Sequence, residues 1–186
     1  IRPFQLLSIE DSPSRHKKRA LNVNRDKVYE NISLYNHKKM GIHKPIKIAY
    51  FSSDFKEHPV AYLIAKVIEM HNREEFKVYG YSINGTTKDK MYNRLVYAFD
   101  EFRDLSKVTD KEAAMISRED NIDIAIDLNG YTQNSRTGIF GYRAAGVQIN
   151  YLGYPGTLGT DFFDYIISDA IIIPAEFRNF YSEKII

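Results

Sequence analysis

The chain contains no cysteine. Disulfides and cysteine-ligated metal are therefore excluded, and the composition suits a reducing compartment. No apolar run approaches the roughly 20 residues that a membrane span needs. No basic-then-apolar leader precedes the patterned region. The P-loop and dinucleotide fingerprints are missing, as is the G-x-S-x-G nucleophile elbow. No set of His, Asp and Glu has the spacing of a metal site, so no metal is expected. Internal repeats and low-complexity tracts are also lacking.

What is present is globular in character. Hydrophobic residues make up 44% of the 186 positions and charged residues 27%, enough for one ordinary domain with a core. The net charge of +2 is unevenly spread. Residues 1–47 hold 11 Lys and Arg against 4 Asp and Glu, whereas the remainder holds 15 against 20. The basic segment has no glycine-rich or aromatic RNA-binding signature and reads as a solvated helix and linker. Nucleic acid is therefore not an expected partner.

Residues 1–45 read as a lead-in: a turn-like "IEDSPS", a helical stretch from about Arg15 to Tyr35, and a polar linker closing at Pro45. From Ile46 the pattern changes. "IKIAYF", "FKVYGYSI", "FRDLS", "IDIAIDL", "VQINYL" and a run within "FDYIISDAIII" have strand character. Between them lie "VAYLIAKVIEMH", "TKDKMYNRLVYAF" with Thr87 as its cap, and "TDKEAAMISRED", which opens with the Thr109–Glu112 capping-box pattern. "SRTGIFGYRA", capped by Ser135, and "PAEFRNFY", with Pro174 in its first turn, are short helices. "YSEKII" resembles a strand just starting. Alternating strands and helices predict an α/β fold, a Rossmann-like three-layer sandwich with a mostly parallel sheet. Because the chain begins with Ile1 and ends in that nascent strand, it reads as an internal piece of a longer protein.

Ligands of open parallel sheets sit beyond the carboxyl ends of the strands. Four loops there could carry chemistry. In "SSDFKEHP", His58 and Pro59 stand at the start of a helix. His58 is suited to proton exchange or to hydrogen bonding a hydroxyl, and Asp54 to orienting it or acting itself. The other reading is a polar turn with His58 as helix cap. In "DLNGYTQNSR", Asn129–Gly130 marks a tight turn, and Tyr131 offers a hydroxyl on the ligand side. Arg136 in the next helical turn suits an anionic partner, or is an ordinary exposed arginine. "LGYPGTLGT" places Gly153, Gly156 and Gly159 around Pro155, either for close backbone approach to a ligand or as a plain turn. Asp169 ends the last clear strand and serves a ligand or stops the strand. His16, His37 and His43 fall in the lead-in, and His71 ends a helix, where partial charge is comfortable.

These loops occur in one order and spacing. "KIAYFSSDFKEHPVAYL", "DLNGYTQNSR", "YLGYPGTLG" and "DYIISD…PAEF…YSEK" together resemble the catalytic region of the protein O-GlcNAc transferase and SPINDLY family, glycosyltransferase family 41. "PFQLLSIEDSP" is similar to the segment that joins tetratricopeptide repeats to that region in bacterial members. The resemblance implies the N-terminal, acceptor-side domain (residues 46–186) of a two-domain GT-B glycosyltransferase. Residues 1–45 would then follow upstream tetratricopeptide repeats, and a C-terminal nucleotide-binding domain would complete the cleft.

The implied activity is inverting transfer of GlcNAc from UDP-GlcNAc to Ser or Thr hydroxyls of proteins, without metal or cofactor, in the cytoplasm. A SPINDLY-type O-fucosyltransferase using GDP-fucose and a non-catalytic protein-binding module are the alternatives. By position, His58 matches the family's active-site histidine and Asp54 the aspartate of the same motif. Tyr131 matches the tyrosine of the N-G-Y-T motif, and Arg136 the arginine five residues on. Pro59 and Val60 match donor-site residues, with Val60 replacing the threonine of animal enzymes. Leu152, Gly153 and Pro155 match the loop bordering the GlcNAc pocket. The family's diphosphate-binding lysine belongs to the C-terminal domain, so this piece alone is expected to be inactive.

Overall fold

The computed structural model describes residues 3–24, 44–85 and 87–186. Their strands are β1 (Ile46–Ser52), β2 (Phe76–Ser82), β3 (Glu101–Asp104), β4 (Ile124–Asp127), β5 (Val147–Tyr151), β6 (Tyr165–Ile167) and β7 (Lys184–Ile185). They form one seven-stranded sheet in the order β3-β2-β1-β4-β5-β6-β7, and each neighbouring pair is parallel. The helices are α1 (Pro3–Leu7), α2 (Pro13–Asn24), α3 (Pro59–Glu69), α4 (Lys90–Ala98), α5 (Asp110–Glu119) and α6 (Gly138–Gly141), with a 3-10 helix at Ala175–Phe180.

The period-two alternation of β1 sorts side chains onto the two faces of the sheet. Ile48 and Tyr50 pack with Ala61, Ile64, Ala65 and Ile68 of α3 and with Met91 and Leu95 of α4. Ala49 and Phe51 pack on the opposite face with Ala113 and Ala114 of α5 and with Ile139 and Phe140 of α6. Both faces are thus covered, which is why the central strands read as near-continuous apolar runs. The result is the expected three-layer α/β sandwich.

Local expectations differ in detail. The Thr109–Glu112 capping box forms as the sequence predicts. The cap of α4 is Asp89 rather than Thr87, because Asp89 accepts from Tyr92 N–H at 2.8 Å and also from Glu57 N–H at 2.7 Å, a tertiary bond. Helix α6 is four residues long and is preceded by Thr137 rather than Ser135, with no side-chain cap bond. Pro174 sits just before the 3-10 helix rather than inside it. The lead-in helix runs over Pro13–Asn24, and the rest of the stretch predicted up to Tyr35 lies outside the described residues, as do His37 and His43.

His71 is not a comfortable cation. Burial, with Arg73 nearby, lowers its pKa, and its Nε2 is 2.8 Å from the Tyr50 hydroxyl.

Helix α2 docks on the sheet unit. Ala20 is fully buried within the α5/α6 core. Gly159, at φ +62, lets the loop after β5 touch this helix: a Cβ there would meet Leu21 N at 2.7 Å. Among the described residues, no helix is long and apolar enough to cross a membrane.

Candidate active site

The strand order turns at β1. The chain runs outward through β2 and β3, then returns to add β4 on the other side of β1. The loops leaving β1 and β4 therefore diverge, and a crevice opens between them.

The first loop is held from both sides. Asp54 N–H donates to Ser52 Oγ at 3.0 Å, and Ser53 Oγ donates to Asp54 Oδ2 at 2.8 Å. From the β4 loop, Asn129 accepts Ser53 N–H on Oδ1 at 2.8 Å. Asn129 Nδ2 lies 3.0 Å from Asp54 Oδ2, 2.8 Å from Ser53 Oγ and 3.1 Å from Thr132 Oγ1. Asn129 is itself fixed by Asp127, whose Oδ1 accepts its N–H at 2.9 Å. Burial pushes the Asp127 carboxyl up to about 6. The other Asp54 oxygen, Oδ1, faces Lys56 Nζ at 3.9 Å.

His58 takes extended backbone (φ −152, ψ 146) and caps α3, with Pro59 opening the helix. Its Nδ1 accepts Val60 N–H at 3.3 Å. That bond fixes the neutral ring's proton on Nε2, the nitrogen left for a ligand. The structure does not hydrogen-bond Asp54 to His58; Asp54 is oriented by Ser53 and Asn129 instead.

The third wall comes from the loop after β5. Gly153 N–H donates to Tyr151 O at 2.9 Å across Leu152, whose φ is +75. This is the strained form of the γ-turn, held in a leucine. A Cβ on Gly153 would lie 2.0 Å from Leu128 O, so the β4 and β5 loops approach this closely only through glycine.

Together these walls enclose a cleft of about 790 Å³. His58, Asp54, Pro59, Val60, Tyr131, Leu152 and Gly153 line it, as does Lys56, which the sequence reading did not single out.

Several predicted residues are tied into the fold by their polar groups. The Tyr131 hydroxyl donates to Leu158 O at 2.5 Å, so this cleft-lining residue also braces the third loop. Arg136 does not line the cleft. Its guanidinium donates to Asp110 Oδ1 at 2.7 Å and to the carbonyls of Ile83 (3.0 Å), Leu105 (2.8 Å) and Val108 (2.7 Å). The expected partner for an anionic ligand is thus a clasp over the ends of β2 and β3. Pro155 borders a neighbouring cavity of about 440 Å³ with Asp169, and Leu152 divides the two spaces. Asp169 Oδ1 accepts from the N–H groups of Ile171 and Ile172, both at 2.9 Å, which is the strand-stopping role. Among the described residues, no three or more His, Cys, Asp or Glu cluster as a metal site.

Residues 12–186 match the family model "Glycosyl transferase family 41". The chain belongs to this family. It is 36% identical over 149 residues to the probable UDP-N-acetylglucosamine–peptide N-acetylglucosaminyltransferase SEC of Arabidopsis thaliana, covering 80% of this chain and 15% of that protein. The UDP-N-acetylglucosamine–peptide N-acetylglucosaminyltransferase of Caenorhabditis elegans is 37% identical over 141 residues, covering 75% of this chain and 12% of its own length. Among solved structures, a Thermobaculum terrenum O-GlcNAc transferase mutant superposes with a TM-score of 0.83 at 29% identity, over 94% of this chain and 34% of that one. The chain thus spans a small part of these family members. Its fold is that of the Rossmann-like N-terminal domain of a GT-B glycosyltransferase.

Sequence reasoning missed Asn129 as the linchpin of the site. "DLNG" signals a turn, and nothing local ties Asn129 to an aspartate 75 residues earlier.

Proposed function

We propose that this chain is the acceptor-side half of a protein O-GlcNAc transferase, which moves GlcNAc from UDP-GlcNAc to a Ser or Thr hydroxyl with inversion. The observation that carries the reading is the convergence of the loops after β1, β4 and β5 on one cleft with His58 and Asp54 in its wall. The family names support the donor and the peptide acceptor. The reading also includes tetratricopeptide repeats upstream, a nucleotide-binding domain downstream and a cytoplasmic location.

In this reaction the acceptor oxygen bonds to the anomeric carbon as the bond to the diphosphate oxygen breaks, and the acceptor hydroxyl loses its proton. His58 acts as a hydrogen-bond donor through Nε2–H and holds an oxygen in line. Its Nδ1 is occupied by the Val60 N–H, so Nε2 is the nitrogen it presents to the reactants. Asp54 takes the proton on Oδ1, since Oδ2 already accepts from Ser53 and Asn129. The leaving diphosphate needs cationic partners. Lys56 is the one Lys or Arg among the described cleft-lining residues, so most of that charge must come from the second domain. Hence the isolated chain of 186 residues is inactive in this reading.

The test is transfer to a Ser peptide by the complete protein, given UDP-GlcNAc or GDP-fucose in parallel. Transfer from UDP-GlcNAc supports the reading. Transfer from GDP-fucose alone replaces the donor and keeps the acceptor role. No transfer from either, with peptide binding intact, makes the chain a protein-binding module.

A further inference from the structure

Two exposed apolar side chains stand in the wall of the cleft. Phe4 of α1 is 46% exposed and Leu63 of α3 is 63% exposed, and both line the space that holds His58 and Asp54. Phe4 belongs to a segment outside the family match, which starts at residue 12. The lead-in nonetheless holds this segment firmly. Leu7 packs on the α5/α6 core. Ile9 and Glu10 N–H groups return to Leu6 O at 3.2 and 3.1 Å. The Glu10 carboxylate is paired with both Arg15 and Arg19, and its carbonyl is 2.7 Å from His16 Nε2. Helix α2 in turn is seated on Gly159. Phe4 is thus a placed aromatic ring whose apolar surface is open to solvent and would gain from burial by a ligand in the cleft.

We infer that Phe4, with Leu63, forms a subsite for an apolar side chain of the acceptor polypeptide, next to the reacting Ser or Thr. This rests on the acceptor reading of the cleft. A hydroxyl held at His58 brings the flanking residues of its own chain along, at about 3.5 Å per residue. Those flanking residues therefore pass along the wall of the same cleft, which Phe4 and Leu63 line. A nucleotide sugar, rich in hydroxyls and charge, has less to gain from Phe4 and Leu63 than a Val or Leu side chain has. Acceptor choice would then be made partly by α1, which precedes the residues that the family model matches.

The experiment titrates fluorescein-labelled peptides against the full chain by anisotropy, with one Ser flanked by Val and Leu or by Asp and Gln. Wild type is expected to bind the apolar-flanked peptide about tenfold more tightly. Phe4→Ala abolishes that preference, and Phe4→Leu keeps most of it. In the complete enzyme, Phe4→Ala raises KM for the apolar-flanked peptide about tenfold relative to KM for the polar-flanked one. The inference is overturned if wild type shows no preference, or if Phe4→Ala retains it. A raised KM for the donor with the peptide preference intact would assign Phe4 to the nucleotide sugar. A lowered melting temperature with the preference intact would assign it to a covering segment of the protein itself. If the preference responds to Phe4 but no sugar is transferred, the transferase reading fails and the peptide site stands.

Discussion

Asn129 Nδ2 bonds Asp54 Oδ2 at 3.0 Å across 75 residues of sequence, joining the loops of two neighbouring strands. Both partners are buried. Asn129→Ala strands the Ser53 N–H and removes one of the two donors to Asp54 Oδ2, and should cost about 2–3 kcal/mol in denaturant unfolding. Asn129→Asp should cost at least as much, because it sets a second carboxylate beside the first. Equal stability of wild type and both variants would show that the bond does not tie the loops.

His58 carries two roles on two nitrogens. Asn and Asp both cap helices well. His58→Asn should therefore keep the melting temperature within a degree or two yet lower transfer by the complete enzyme at least a hundredfold. His58→Ala should lose transfer and also about 1 kcal/mol of stability. Full activity in His58→Asn would refute the Nε2 donor.

Arg136 predicts the opposite pattern. Its guanidinium joins Asp110 to three backbone carbonyls, with 15% of the side chain exposed. Arg136→Ala should destabilise by about 3 kcal/mol. Arg136→Lys should recover only part of this, because an ammonium cannot reach that spread of acceptors. Donor and acceptor KM should stay put in whichever variant folds. A selective rise in donor KM would return Arg136 to the binding site.

Asp127 gives a pH signature. Its carboxyl is raised from 3.8 to about 6 by burial, so between those values the folded state binds more protons than the unfolded one. Stability should fall by about 2–3 kcal/mol as pH rises through that window. Asp127→Asn keeps an oxygen to accept the Asn129 N–H and should flatten this slope. Urea melts at several pH values decide it, and a slope that survives the substitution assigns the effect elsewhere.

The sheet was legible because its evidence is local. Apolar runs bounded by turns recur along the chain, and the capping box of α5 is closed by residues three apart. His58 and Asp54 were singled out because their loop leaves a strand end, whereas Leu152 came in through the family resemblance. What stayed hidden was chosen by tertiary contact. Asp89 won the cap of α4 through a bond to the β1 loop, in a stretch with several capping residues. Arg136 looked like a free cation because three carbonyls from 28 to 53 residues earlier are invisible in its neighbourhood. Phe4 lay in a segment too short to show a period. No periodicity rule connects it to the cleft.

The carboxylate of Glu183 closes this structure in a less obvious way. It accepts from Thr157 Oγ1 at 2.7 Å and from Leu158 N–H at 2.6 Å, while the Tyr181 hydroxyl donates to Pro155 O at 2.8 Å. The third wall of the cleft is therefore fastened by residues some 25 positions later in the chain. Amides of residues 157–159 and 182–185 should exchange with solvent as one cooperative unit. A gene fragment stopped before Glu183 would release Leu152 and Gly153 from their register, so the smallest piece able to hold the cleft extends through that glutamate.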